Sequence, residues 1–424
     1  MTLGTRVRLC LKDLYQQDIV EMIERETRRY ELHSIEHPDH PDFQRAYQVL
    51  WDAFGPQGEM EPEPAIRRFL LDDAFEPLPS GTFIRYFLLV AKDRDGRLRG
   101  VRDGSVIYNP QWAPDLCTVY LSHIYMLPEA RGTVLTYWLR IAPVELAVEY
   151  LFALHQRGLV SLPLPDQLAK YFGVRLNLAA EMEHFSPDDR LSLQRILFYG
   201  RGGFDVIDPR HFPYRQPDFR DPAVIQATGN TPVPFMLLLR RIGRERQARL
   251  PIDEASLTMR MLYDEFACFC TPEFLQDSMR AVEQRLDERR ANGRTDVALL
   301  PLPTGAHNLH RLKRLFRYDI YRRFYAAAPG TEAYLARLRP QLQANPRWFE
   351  EQVAQLAGAL AQTTHSVYGS RDKRYAVEAI PSLAAETDDA TADATLPAAG
   401  TSARSAGRAP AETVPAILRQ EKRG

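Results

Sequence analysis

Residues able to do chemistry stand at a handful of places along the chain. His123, in LSHIYM, carries an imidazole that titrates near neutrality and could take up a proton. Glu181 and Glu183 lie two apart in GVRLNLAAEMEHF (173–185), so on a strand they share one face. In MLPEARGTVLTYW (126–138) a short apolar strand meets Pro128, then Arg131-Gly132, then a helical pattern. The free N–H groups of such a helix start can hold an anion, a pyrophosphate above all; Pro128 and Gly132 could equally make a plain turn. Glu59 and Glu61, in GPQGEMEPE (55–63), could attract a cationic amine or simply be solvated. His33, His37 and His40, with Asp39 and Asp42, offer metal donors, but they bridge a strand, a proline turn and a helix cap with no fixed structure between them. No metal is expected there, and Asp39 or Asp42 as a helix cap accounts for the stretch.

The elements that must position these residues follow from periodicity. Residues 5–28 read as a helix, YELHSI (30–35) as a strand, and 39–55 and 61–73 as amphipathic helices, the second with prolines in its first turn. Residues 82–93 and 97–108 form a hairpin about Arg94-Asp95-Gly96, and 116–126 is the next strand. A long helix over 133–158 contains Pro143, which is expected to kink or restart it. A strand over 173–185 follows, then a helix over 186–199 capped by Ser186, then strands over 202–208 and 233–242. A charged linker is expected at 244–254, a helical domain at 255–379, and a disordered Ala/Thr/Ser/Asp-rich tail at 380–424.

Composition narrows the classes. The 54 Lys+Arg and 55 Asp+Glu leave a net charge of −1, so the chain as a whole has no pull toward nucleic acid or an anionic membrane. No apolar run approaches the ~18 residues of a spanning helix, and the first residues show no signal-peptide core. The four cysteines, Cys10, Cys117, Cys268 and Cys270, are too few and too scattered for a disulfide framework, which fits a reducing cytoplasm. In HRLKRLFRYDIYRRFYAA the basic residues Arg311, Lys313, Arg314, Arg317, Arg322 and Arg323 interleave with aromatics, a pattern that can serve RNA or an anionic partner. Leu312, Phe316, Ile320 and Phe324 nevertheless form an i, i+4 stripe, so the helix 309–326 reads first as core on one face and solvated arginines on the other.

Three stretches resemble the GNAT superfamily of acyl-CoA N-acyltransferases over residues 29–243: the hairpin LLVAKDRDGRLRGV, the corner MLPEARGTVLT, and the closing segment LQRILFYGRGGFDVI. The resemblance implies an α/β (α+β) fold with a mixed, mostly antiparallel sheet flanked by helices. It implies acetyl-CoA or another acyl-CoA lying between splayed parallel strands 116–126 and 173–185, with direct transfer to an amine acceptor, small molecule or protein. Met126, Arg131, Gly132, Thr133, Val134, Leu135 and Thr136 would then hold the cofactor. Tyr199 would be the acid for the departing thiolate, with Glu183 or His123 as the base. Val134 and Thr136 replace the two later glycines of the family's motif, and a valine side chain crowds an approach that glycine leaves open. The alternatives are a binding or regulatory protein of the same fold without catalysis, or a partner- or nucleic-acid-binding module using the basic helix. A homodimer stays open.

Overall fold

The computed structural model describes residues 28–315, apart from 58, 132, 134, 163–172 and 185–189, together with scattered positions on either side. The helix expected over 5–28, most of the basic helix 309–326, the helices expected beyond it, the tail, the Ser186 cap, Gly132 and Val134 therefore lie outside the described residues or nearly so. All described residues belong to one compact unit, Met1–Val377.

The N-terminal part of the chain follows the periodicity closely. Strand β1 is Tyr30–Ile35, and helices α1 (Phe43–Phe54) and α2 (Glu63–Leu71) follow. Strands β2 (Phe83–Asp93) and β3 (Leu98–Tyr108) pair as the expected hairpin. The strand expected over 116–126 is two strands, β4 (Leu116–Tyr120) and β5 (Ile124–Met126). Helix α3 runs from Leu135 to Gln156 without a break at Pro143. Fifteen of its residues are buried, Pro143 included, so packing on nearly every side holds the helix together where proline removes a backbone bond. Next come β6 (Arg175–Glu183), α4 (Arg190–Arg201), β7 (Asp205–Ile207), β8 (Arg215–Gln216), α5 (Pro222–Thr228) and β9 (Val233–Arg241).

Beyond 243 the chain does not begin a separate helical domain. It adds β10 (Arg249–Pro251), α6 (Ile252–Phe266), α7 (Pro272–Ala291) and β11 (Asp296–Pro301). Leu299 and Leu300 of β11 pair with Ile207 and Val206 of β7, continuing the same sheet. The charges of the expected linker have a structural use. Buried Glu254 accepts from Arg244 (2.7 and 2.9 Å), Arg175 (2.9 Å) and Asn177 (2.9 Å), tying the start of α6 to β6. A carboxylate so surrounded by cations and donors is held below its ordinary range despite burial.

The sheet has eleven strands in the order β1-β2-β3-β4-β6-β9-β7-β11-β10, with β5 on β3 and β8 on β9. Among the described residues only β4 and β6 pair in parallel; every other pairing is antiparallel. One face is covered by α3 and α4, through residues such as Leu139, Leu146 and Ile196. The other face is covered by α1 and α2 over Leu88, Val90 and Val101, and by α6 and α7 over Ile107, Ala179, Leu237 and Leu239. This is the mixed, mostly antiparallel, GNAT-like arrangement.

Candidate functional site

A wedge opens where the single parallel pairing ends. The β4–β6 register runs from Leu116↔Arg175 to Tyr120↔Ala179, and Leu121 N–H donates once more to the Ala179 carbonyl at 2.8 Å. After that the strands part. Ile124 and Met126 turn to pair with Arg102 and Gly100 of β3, while Ala180 to Glu183 stay on β9. A cavity of about 340 Å³ lies at this opening. Its walls are Tyr120, Ser122, His123, Ile124 and Met126 from one strand arm and Glu181, Met182 and Glu183 from the other. Gln194, Arg195, Phe198 and Tyr199 of α4 close one side, Phe54 and Glu59 another, and Gln216 and Phe235 the rest.

The three residues expected to share the acid–base work, His123, Glu183 and Tyr199, thus line one cavity. Their surroundings differ. His123 is buried, with Nδ1 3.1 and 3.2 Å from the Asp103 oxygens and Nε2 2.7 Å from the Glu59 carbonyl. Burial alone would discharge this ring, but the Asp103 carboxylate outweighs it and lifts its pKa to about 9. Both nitrogens then donate, so neither lone pair is left to accept a proton at neutrality. While protonated, the ring has no free lone pair with which to act as the expected base. It is a fixed positive charge in the wall, and Asp103 is itself held by Tyr86 Oη (3.0 Å) and the His123 amide (2.8 Å).

Among the acids, Glu183 pairs with Arg195 at the half-exposed rim. Glu181 is more deeply set and accepts from Tyr120 Oη and Tyr214 Oη, each at 2.6 Å, and from Gln216 Nε2 at 3.1 Å. Burial still raises its pKa. Glu59 and Glu61, read above as either amine-attracting or solvated, are drawn inward. Glu61 is 7% exposed and burial pushes its carboxyl up to about 7. Glu59 faces the cavity, and burial followed by the charge of Glu183 raises its pKa. The Glu59 carboxylate makes no side-chain hydrogen bond among the described residues, unlike that of Glu181.

Tyr199 is 8% exposed and fixed edge-to-face between Phe198 (5.3 Å) and Phe204 (5.4 Å). Burial raises its pKa, while Arg102 and Arg140 pull it down.

The residues expected to hold a cofactor are less gathered. Met126 lines the cavity, whereas Leu135, the first residue of α3, is wholly buried in the core. Arg131 is folded back, its Nε 3.1 Å from the Met126 carbonyl and its guanidinium beside the Tyr125 ring. Thr133 Oγ1 donates to the Ala130 carbonyl (2.7 Å) and Thr136 Oγ1 to the Thr133 carbonyl (2.6 Å), which shapes the corner before α3. Of the histidine cluster, His33, His40 and Asp42 bring donor atoms within 4.8 Å of one another. Lys92 Nζ lies 2.5 Å from Asp42 and supplies a cation there. His37 stands apart and half-exposed beside Asp39.

Asp103, Arg195, Tyr214 and Gln216 escaped the sequence reading. Only Asp103 had a usable signal: Arg102-Asp103 is a charged pair in the interior of an apolar strand, and charges there are buried only with partners. The others come from α4, the loop before β8 and β8 itself, segments whose approach to the wedge depends on tertiary structure. No helix among the described residues is long and apolar enough to cross a membrane.

No protein-family model matches the chain, and no curated protein sequence matches it. Solved structures that do match in fold are GNAT-superfamily acetyltransferases. One is a phosphinothricin acetyltransferase from Sinorhizobium meliloti in complex with AcCoA, with 16% identity over 51% of this chain and 90% of that one, at a TM-score of 0.28. Another is spermidine N-acetyltransferase from Vibrio cholerae in complex with CoA and spermine, with 11% identity over 52% and 99% of the chains and the same TM-score of 0.28. Such scores carry no function across to this chain.

Proposed function

We propose that the wedge between β5 and β6 is an acyl-transfer site that takes an acyl-CoA and a cationic amine. The observation that carries this is the parting of β4 and β6 directly into a cavity walled by Glu59, Glu181, Glu183 and Tyr199. Strand arms that no longer pair with each other leave inner-edge backbone groups for the amides of a pantetheine arm. The carboxylates favour an ammonium at the other side of the cavity. The residues suit the donor substrate at the wedge; at the corner, Arg131 would supply a cation for its pyrophosphate.

In the reaction, the acceptor ammonium loses a proton to Glu59, the cavity carboxylate not already held by donors. The amine nitrogen attacks the thioester carbon, its second proton passes to water, the carbon–sulfur bond breaks, and Tyr199 Oη gives its proton to the thiolate. The phenolate recovers a proton from water. His123 takes no part in the proton traffic; its fixed charge offsets the carboxylates around it.

Calorimetric titration with acetyl-CoA and longer acyl-CoAs tests the donor, and saturable binding is expected. Arg131→Glu should weaken it strongly by setting a carboxylate against a phosphate. Once an acceptor is found, Tyr199→Phe should lower kcat by ~10²–10⁴-fold with little change in stability. Absence of acyl-CoA binding by the folded protein removes the proposal altogether. Near-wild-type turnover in the phenylalanine variant removes only the role of Tyr199.

A further inference from the structure

Two arginines behind the cavity are without the partners such groups need. Arg102, in the middle of β3, is wholly buried, and its Nε, Nη1 and Nη2 make no hydrogen bond among the described residues. Arg140, from α3, is 3% exposed, and its Nε and Nη1 make none either. Arg140 does stack 3.8 Å over the Phe198 ring. Asp103 is next to Arg102 in sequence but alternation sends it to the opposite face of the sheet, where Tyr86 and His123 engage it. An isolated buried cation is among the most costly features a fold can carry, and an orphaned buried donor adds to that cost.

We propose that Arg102 and Arg140 form an internal binding site for one small inorganic monoanion, of which chloride is the simplest. The two guanidiniums and Tyr199 are mutual electrostatic neighbours: Arg140 makes the charge of Arg102 harder to hold, and both stabilise the ionised form of Tyr199. Even with burial pulling it down, Arg102 keeps a pKa of about 10 and is charged at neutral pH. The ligand class follows from the surroundings. Phe198 and Tyr199 line the cavity while neither arginine does, so an anion with a bulky tail has no path. Leu139 and Met126 crowd the same face of β3 at Gly100. A monoanion pays a far smaller desolvation cost in such apolar company than a divalent one, since that cost grows with the square of the charge.

The test compares thermal unfolding of the full chain in sodium chloride and in sodium gluconate at equal ionic strength. Chloride should raise the wild-type midpoint with the logarithm of its concentration, by about 2–4 °C for each roughly fivefold increase above its Kd, and gluconate should not. Arg102→Met removes the cation and keeps the bulk, so it should fold and show equal midpoints in the two salts. Equal wild-type responses to both salts overturn the proposal, as does a chloride response that survives in Arg102→Met. Should that variant fail to fold, bromide-soaked wild-type crystals decide. An anomalous peak against both guanidiniums upholds the site, and its absence overturns it.

Discussion

The same tripeptide, Arg-Asp-Gly, occurs twice within eleven residues of one hairpin and meets opposite fates. Arg94-Asp95-Gly96 is the exposed turn between β2 and β3. There Gly96 adopts φ 74°, with nothing within 4 Å of the position a Cβ would take. Asp95 faces Arg97 at 3.7 Å, both side chains largely in solvent. Arg102-Asp103-Gly104 is buried in the middle of β3. There Gly104 has φ 153°, and a Cβ would fall 2.0 Å from the carbonyl oxygen of Tyr120, the last residue of β4 before the wedge. The difference lies in what surrounds the three residues: in water the charges need no partners and the glycine only a permitted dihedral, whereas inside the sheet Asp103 is committed to Tyr86 and His123, Gly104 lies against Tyr120, and the Arg102 guanidinium makes no hydrogen bond among the described residues.

The largest contrast should come from the glycines. Gly104→Ala drives a methyl into the Tyr120 backbone, and a loss of about 3 kcal/mol or more is expected, up to failure to fold. Gly96→Ala should cost about 1–2 kcal/mol, the price of a left-handed L-residue in open space. Urea unfolding of the two variants measures both; equal losses would erase the distinction.

The aspartates come next. Asp103→Asn removes the partner of a buried imidazolium and should cost about 3–5 kcal/mol, against less than about 0.5 kcal/mol for Asp95→Asn. The pH dependence sharpens this. The folded-state pKa of His123 is raised from 6.5 to about 9. Its stabilisation is therefore fully present below about pH 6.5 and is lost as pH rises through about 9. In Asp103→Asn that alkaline loss should vanish, and NMR of the imidazole should find it neutral at pH 8. Asp95→Asn should leave the profile where it is. Smallest of all, Arg97→Ala should change the unfolding midpoint by no more than the error of measurement, since an exposed pair contributes little.

The comparison also marks how far sequence alone could go. Alternation and turn residues were enough for the β2–β3 hairpin, and the 3.6-residue period for α1, α2 and α3, because those patterns are local. His123, Glu183 and Tyr199, which line one cavity, could be singled out because they fall at recognisable places around the strand-to-helix corner and the end of α4. Asp103 was missed, and with it the protonation of His123: the pairing joins β3 to the stretch after β4, and no spacing along the chain encodes it. Arg244 and Glu254 looked like a solvated linker for the same reason. Charged residues read as surface until the partner that allows their burial is known. Strand β11 was hidden by brevity, six residues between helical stretches.

That strand has a consequence for how the chain reaches its structure. Strand β7 is three residues long and is flanked by β9 on one side and β11 on the other. Its second neighbour is synthesised only after α6 and α7 have followed. Until then a nascent chain presents β7 as a bare sheet margin, the kind of surface on which unfinished chains associate. Pairing so distant in sequence is also slow to form. The segment from 244 to 301 is thus the step at which folding commits, and a chain stopped at 243 should be captured by chaperones or aggregate where the longer one goes on to close its sheet.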